Sequence, residues 1–209
     1  LPVHITARDD SGRLCGMVPL YEKDNSYGEF VFDWAWADAW QRNGVNYYPK
    51  LVSSIPFTPV TGHRLLVAPQ ADRPAVTQQL IEAALSLTRE SGASTLHWLF
   101  TNEQDTERLL DFGLLRRTSC HFHWHNDGYR SFDDFLTALS SRKRKKIRRE
   151  RRRVLEAGIE MRCLHGHEMT DADWDTMFGF YRSTFDRKWG IPTLTLDFFR
   201  EISRTMGEQ

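Results

Sequence analysis

SFDDFLTALSSRKRKKIRRERRRVLEAG, residues 131–158, is the stretch from which the organisation of this chain can be worked out. It contains no Pro, and its only Gly is Gly158, which stands where helices commonly end. Ser131 and Asp134 form a pattern typical of a helix N-terminus. The stretch therefore predicts one continuous helix over 132–157.

The charge of this predicted helix is its second informative feature. Between Arg142 and Arg153 ten of the twelve residues are Lys or Arg, whereas the chain as a whole has a formal net charge of zero. The other residues of the chain are therefore acidic overall. Charge segregated in this way indicates an anionic partner or an acidic surface of the same molecule.

A helical projection separates an apolar stripe from a cationic side, at about 100° per residue. Arginine suits phosphate because its planar guanidinium binds two oxygens at once. Three interpretations remain open at this point: a solvated face, a phosphate-bearing small substrate, or a nucleic acid such as tRNA. The stripe consists of Phe132, Leu136, Leu139, Ile147, Val154 and Ala157, and the candidate phosphate-binding residues are Arg144, Lys145, Arg148, Arg149 and Arg152.

Composition places the chain among globular proteins. Its 209 residues are 40% hydrophobic and 12% aromatic, which excludes intrinsic disorder. No segment approaches the roughly 20 apolar residues of a membrane span. Cys15, Cys120 and Cys163 are odd in number and lack metal-ligand spacing, so a reducing, cytoplasmic setting is expected. The chain opens at Leu1 within a strand pattern, and both ends are expected to be truncated.

Elements on both sides of the helix predict a mixed α/β (α+β) fold with a central sheet flanked by helices. Alternating or buried apolar patterns predict strands over 1–8, 14–21, 51–57, 95–101, 114–125 and 159–164, the first two as a hairpin. Caps and helical periodicity predict helices over 35–43, 76–91, 103–112, 171–188 and 196–206.

Four short motifs carry a family resemblance. They are YGEFVFDWAWAD at 27–38, YYPKL at 47–51, PFTPVTG at 56–62, and His123-Trp124 with Gly128-Tyr129. Together they resemble the FemAB-like predicted N-acyltransferases of bacteria, often labelled peptidoglycan biosynthesis/recognition proteins. The order of elements also resembles the GNAT acyltransferase core.

The resemblance implies two GNAT-like units in tandem, truncated at both ends: 1–130, a basic interdomain helix at 131–158, and the start of a second unit at 159–209. Characterised members of the wider superfamily move an amino acid from aminoacyl-tRNA onto a peptidoglycan precursor. The implied function is N-acyl transfer from acyl-CoA or aminoacyl-tRNA to an amine. The alternative is a module without catalysis that uses the basic helix to bind nucleic acid or a cell-wall precursor.

Candidate catalytic residues lie in the first two motifs. Asp33 and Asp38 stand among Trp34 and Trp36, and a carboxylate against aromatic rings can have a raised pKa and act as a base. The alternative is that Asp33 caps a helix, Asp38 is solvated and the tryptophans are core. Tyr47, Tyr48 and Lys50 are candidates for the lining of an acceptor pocket, or else the two tyrosines pack beside a strand.

Two further groups are candidates on weaker patterns. His121, His123 and His125 alternate on one predicted strand face, but no carboxylate or Cys completes a metal site, so none is expected. His123 is a candidate proton carrier or a structural histidine. The loop with Thr61, Gly62 and Arg64 follows a strand and precedes a helix, so it either binds a donor phosphate or is a plain turn.

Overall fold

The computed structural model describes residues 1–188 and 190–207. The chain divides by its contacts into two units, Leu1–Thr118 and Ser119–Gln209. Six strands and seven α-helices occur in the described residues, which confirms the mixed α/β class. The strands are β1 Ile5–Arg8, β2 Leu14–Val18, β3 Tyr21–Lys23, β4 Lys50–Ser53, β5 Leu66–Val67 and β6 Leu96–Trp98.

The strands of the first unit form two small sheets rather than the single central sheet that was predicted. The first has the order β1-β2-β5, and its antiparallel β1–β2 pair, with Ile5 opposite Val18, confirms the predicted hairpin. The second has the order β3-β4-β6, in which β4 is antiparallel to β3 and parallel to β6. Because β4 is the central strand, its side chains are buried on both faces.

Three helices complete the first unit, and local capping explains where two of them begin. They are α1 Trp34–Arg42, α2 Arg73–Glu90 and α3 Glu103–Asp111. The Asp72 side chain accepts a hydrogen bond from the backbone of Ala75, and a proline lies in the first turn of α2. Asn102 caps α3 in the same way, as the sequence predicted.

The core of the first unit lies between α2 and the sheets. A Cβ at Gly16 would meet Val76 Cγ1 at 2.5 Å, so the absence of a side chain in β2 lets α2 approach closely. The fully buried apolar side chains include Val18, Leu20, Leu51, Leu65, Leu80 and Ile81. This packing holds the strands that carry the polar residues described below.

The second unit is helical in its described part. It contains α4 Phe132–Thr137, α5 Ser141–Glu156, α6 Asp171–Arg187 and α7 Leu196–Met206, with a 3₁₀ turn at Gly166–Glu168. The last two helices confirm the prediction. No helix among the described residues is long and apolar enough to cross a membrane.

The prediction of one continuous helix over 132–157 was wrong. Ser140 has an extended backbone, and its side chain accepts a hydrogen bond from the backbone of Lys143, so α5 starts anew there. Serine competes with the helix for backbone partners and therefore favours caps. The Arg144 guanidinium then bonds the carbonyl oxygen of Leu136 in the last turn of α4 and that of Leu139 two residues after its end.

The strands predicted over 114–125 and 159–164 are absent from the described structure. Their alternating side chains remain exposed, as at Leu115 and Phe122. An alternation of apolar and polar residues shows only that a segment can pair as a strand. A strand also requires a neighbouring segment whose backbone N–H and C=O groups form hydrogen bonds with its own. Neither segment has such a neighbour among the described residues.

Candidate active site

Lys50 is the centre of a buried polar cluster in the first unit. Its side chain is fully buried at the start of β4. Its Nζ donates hydrogen bonds to Ser26 Oγ at 2.7 Å, Glu29 Oε2 at 2.8 Å and Asp33 Oδ2 at 2.6 Å. A buried ammonium is unfavourable unless it is paired and hydrogen-bonded, and here all three of its protons have an acceptor.

The two tyrosines of the YYPKL motif hold this cluster in place. The Tyr47 hydroxyl donates to Asp33 Oδ2 at 2.7 Å and lies 3.3 Å from His97 Nε2. The Tyr48 hydroxyl lies 2.9 Å from Ser26 Oγ. Both rings are within 6 Å of the Lys50 ammonium, at 5.3 and 5.7 Å. The tyrosines therefore position Lys50 and its acceptors.

Asp33 anchors Lys50 and is a weak base. Burial by itself would raise the pKa of Asp33, but hydrogen bonds from Lys50 and Tyr47 outweigh it and lower this pKa to about 2. The expected raised pKa is therefore wrong. Asp33 occupies the N-cap position of α1, yet its side chain makes no capping hydrogen bond.

Glu29 is the functional candidate that sequence reasoning missed. It is 4% exposed, and burial raises the pKa of its carboxyl above the usual value despite the hydrogen bond from Lys50. Its Oε2 binds Lys50, whereas Oε1 has no hydrogen bond among the described residues and lies 3.7 Å from Lys23 Nζ. An acid inside the apolar run GEFVF, four residues before Asp33, was the available signal.

Glu29 also lines a cleft of about 160 Å³. The cleft walls include Lys23, the aromatic rings of Tyr21, Tyr27 and Phe57, and the backbone at Gly28. Gly28 has a φ of +76°, and a Cβ there would collide with the Phe57 ring. The motifs at 27–38, 47–51 and 56–62 therefore meet around Lys50 and this cleft.

The comparisons with known proteins agree with this convergence of motifs. A family model described as peptidoglycan biosynthesis/recognition matches residues 1–209. The chain belongs to the FemAB-like family. No curated protein and no solved structure gives a significant match. The FemAB-like resemblance seen in the sequence is thereby confirmed, and its GNAT-like detail stays a prediction.

A substitution at Gly28 tests the packing of the FemAB-like cleft. Gly28→Ala is expected to lower the free energy of unfolding by about 2–4 kcal/mol. The strain of a left-handed backbone at residue 28 and the overpacking against the Phe57 ring both contribute to this loss. Gly12→Ala is the matched control, since Gly12 has a φ of +81° and open space around it. Urea unfolding measures both variants. Equal losses in the two variants would contradict the close approach of Phe57.

The His97 imidazole gives the FemAB-like cluster a pH dependence. Burial, and then the charge of Lys50, lower the pKa of His97 from 6.5 to about 4. Between these values the unfolded chain binds a proton that the folded chain does not, so stability should fall as the pH falls from 6.5 to 4. His97→Gln should show a shallower fall in urea unfolding. The exposed His125→Gln serves as control, and identical pH profiles for parent and His97→Gln would refute this origin.

Asp38 and the tryptophans lie outside the hydrogen bonds of Lys50. Asp38 is exposed and lines an open cleft of about 350 Å³ with Gln41 and Arg42. Trp34 is 43% exposed and contacts the Tyr27 ring edge-on at 5.7 Å. Trp36 is 48% exposed and lies beneath the Arg117 guanidinium at 5.1 Å. The tryptophans therefore form surface rather than core.

The loop predicted to bind a donor phosphate uses its hydrogen-bond donors within the fold. Arg64 is 1% exposed, and its guanidinium donates to the carbonyl oxygens of Leu99 at 3.0 Å and Val60 at 2.7 Å. The Gly62 backbone N–H donates to the carbonyl of Phe100. Arg64 therefore has a structural role in this geometry, and Thr61 beside it is exposed.

The remaining candidates belong to the second unit. His123 is exposed, and its ring lies 6.0 Å from that of His121 and 6.2 Å from that of His125. The described residues contain no group of three or more His, Cys, Asp or Glu side chains that could hold a metal ion. The histidines therefore form an exposed row, and the role of His123 stays a prediction.

The five cations predicted to bind phosphate separate into two kinds. Arg144 bonds the end of α4, and Arg148 pairs with Asp133 at 3.4 Å. Lys145, Arg149 and Arg152 are exposed, and their side chains have no hydrogen bond or ion pair among the described residues. Only the second kind is available to a partner without rearrangement.

Proposed function

We propose that this FemAB-like protein is an N-acyltransferase that acts in peptidoglycan biosynthesis. It moves an acyl or aminoacyl group from acyl-CoA or aminoacyl-tRNA to an amine, with a cell-wall precursor as acceptor. The family match supports a role in peptidoglycan biosynthesis. The single observation that carries the chemistry is Glu29, a buried carboxyl with a raised pKa that lines a cleft and whose Oε1 has no hydrogen bond within the part of the chain that the structure describes.

Acyl transfer to nitrogen requires a neutral amine, because an ammonium has no lone pair with which to attack. In the proposed reaction the Glu29 carboxylate takes one proton from the acceptor ammonium. The neutral amine then forms a bond to the carbonyl carbon of the donor. The bond to the donor's sulfur or ribose oxygen breaks, and the second proton, which the nitrogen loses on forming the amide, passes to the leaving group. A raised pKa makes Glu29 the stronger base for the first step.

The neighbours of Glu29 position its free oxygen for this step. Lys50 binds Oε2 at 2.8 Å and is itself held by Asp33 and Ser26. The carboxyl group therefore has one fixed oxygen, Oε2, and one buried oxygen, Oε1, which accepts no hydrogen bond from the described residues and which a substrate would reach by displacing Lys23. A base that is already held in position reduces the loss of entropy between the bound substrate and the transition state.

The charge and walls of the cleft support an ammonium as its ligand. Two carboxylates, Glu29 and Asp33, surround one buried ammonium, Lys50, and the partly exposed Lys23 lies 3.7 Å from Glu29 Oε1. A ligand ammonium would take the place of Lys23 beside Glu29. The exposed rings of Tyr27 and Phe57 can contact such a cation through their faces.

The transferase proposal is tested with the full chain and mass spectrometry. Acetyl-CoA and aminoacyl-tRNA are offered as donors, and UDP-linked cell-wall precursors as acceptors. The expected result is an acceptor heavier by one acyl or aminoacyl group. No product from any donor, in the presence of measurable precursor binding, would reject the transferase and favour a recognition protein, which the family description also covers.

The wider organisation remains part of this proposal. Two GNAT-like units with the basic segment between them, and action in the cytoplasm, are expected from the sequence. The contact boundary after Thr118 divides the chain twelve residues earlier than the predicted boundary at 130. The stretch from Ser119 to residue 130 therefore belongs with the helical unit by its contacts.

A further inference from the structure

Three arginines of α5 contact α4 or its C-terminal end, Lys146 pairs with Glu150, and the other six cations make no side-chain hydrogen bond or ion pair among the described residues. Arg144 bonds the carbonyl oxygens at the end of α4, Arg148 pairs with Asp133, and the Arg151 guanidinium lies 4.3 Å from the Phe132 ring centre. At about 100° per residue these three arginines fall within a sector of about 60°. This side of α5 is therefore structural.

Five of these six cations form a separate face, here called the open cationic face. Its residues fall within a sector of about 100°, and Arg142 and Arg153 are separated by about 16 Å along the helix axis. Only one acid, Glu156, projects into the same sector. The residues of the open cationic face are Arg142, Lys145, Arg149, Arg152 and Arg153, all of them exposed and without a side-chain hydrogen bond or ion pair among the described residues.

Mutual repulsion makes this face a binding surface for an anion. Like charges three or four positions apart destabilise a helix by a few tenths of a kcal/mol per pair. An anionic partner removes that repulsion without displacing any existing contact of these side chains. The contrast with Arg144 and Arg148 matters, because binding there would compete with α4.

The chemistry of the face favours a lipid headgroup layer over a nucleic acid. The face carries no aromatic ring on which bases could stack and no amide side chain that could recognise a base edge. After the end of α5, Ile159 and Met161 are 52% and 82% exposed. A cationic helix next to exposed apolar side chains is typical of segments that lie on anionic membranes.

We infer that the open cationic face of α5 docks the protein on the surface of an anionic phospholipid bilayer. The Lys and Arg side chains contact headgroup phosphates, and Ile159 and Met161, which follow α5, contact the acyl boundary. This attachment is peripheral and adds to the proposed transfer reaction without depending on it.

The test is sedimentation of the full chain with vesicles. Vesicles of equal parts phosphatidylglycerol and phosphatidylcholine should bind the protein, whereas pure phosphatidylcholine vesicles should not, and high salt should release it. The variant Lys145→Gln/Arg149→Gln/Arg152→Gln should partition about 100-fold more weakly. The matched control, Arg42→Gln/Arg89→Gln/Arg116→Gln, removes the same charge from exposed residues of the first unit and should bind like the parent.

Three outcomes would overturn the inference. They are equal binding to neutral and anionic vesicles, equal losses in the two triple variants, and displacement from the anionic vesicles by a structured RNA at equal phosphate concentration. The last result would identify the face as a nucleic-acid surface. Circular dichroism checks that α5 remains folded in both variants, and the salt dependence of the parent does not rely on any substitution.

Discussion

Lys50→Met is expected to destabilise the first unit by about 3–5 kcal/mol, because it leaves two carboxylates buried without their cation. Glu29 and Asp33 are 4% and 2% exposed, so water cannot replace the lost ammonium. Ser26 and Tyr47 remain but are neutral, and the remaining cation near Glu29, Lys23, is partly exposed and lies 3.7 Å away. The measurement is the free energy of unfolding in urea at neutral pH.

A rescue variant distinguishes this effect from a simple loss of packing. Lys50→Met/Glu29→Gln/Asp33→Asn replaces all three charges by neutral groups of similar size, and we expect it to recover much of the lost stability. The matched control is Lys23→Met, since Lys23 is partly exposed and lies 3.7 Å from Glu29. If the single variant at Lys50 is no less stable than the control, the cluster does not stabilise the fold.

Glu29→Gln is expected to lower kcat/KM by about 10²–10⁴-fold with little change in stability, since general base catalysis contributes that much. Glutamine keeps an oxygen that can accept the hydrogen bond from Lys50, but it cannot take a proton from an ammonium. Because burial raises the pKa of Glu29, its ionisation disfavours the folded state. The parent should therefore lose stability as the pH rises above 4.5 through this pKa, and the variant should lack that component.

Two further measurements separate catalysis from binding and structure. The activity of the parent should rise with pH as Glu29 loses its proton. Any residual activity of the Glu29→Gln variant should not show this rise. Glu22→Gln is the matched control, because Glu22 lines the same cleft and makes no hydrogen bond to Lys50. Transfer that is unimpaired in Glu29→Gln would remove Glu29 from the mechanism and leave Asp38 and His123 as the candidates to test.

Short-range features of the fold were readable from the sequence. The β1–β2 hairpin follows from alternation around a turn, and α3 begins at Glu103 as predicted, whereas α2 begins at Arg73, three residues before the predicted start at residue 76. Capping and turn formation involve residues that are neighbours in the chain, so local patterns are sufficient. The family was readable for a related reason, since the motif at 27–38 is contiguous.

The candidate site was only partly readable. Asp33, Tyr47 and Tyr48 were identified as candidates, but their roles were assigned incorrectly or left open. Glu29 was missed, because an isolated acid in an apolar run gains significance only when Lys50 is found beside it. The distance in sequence between these two residues is 21, and no local pattern connects them.

The sequence by itself determined the fold class, the family and the concentration of positive charge in 142–153, because each depends on composition or on neighbours in the chain. Tertiary structure decided which of those cations hold α4, where the basic helix begins, and which acid faces the cleft. The physical reason is that burial and pairing set the energy of a charge, and both depend on groups that folding brings from distant parts of the chain.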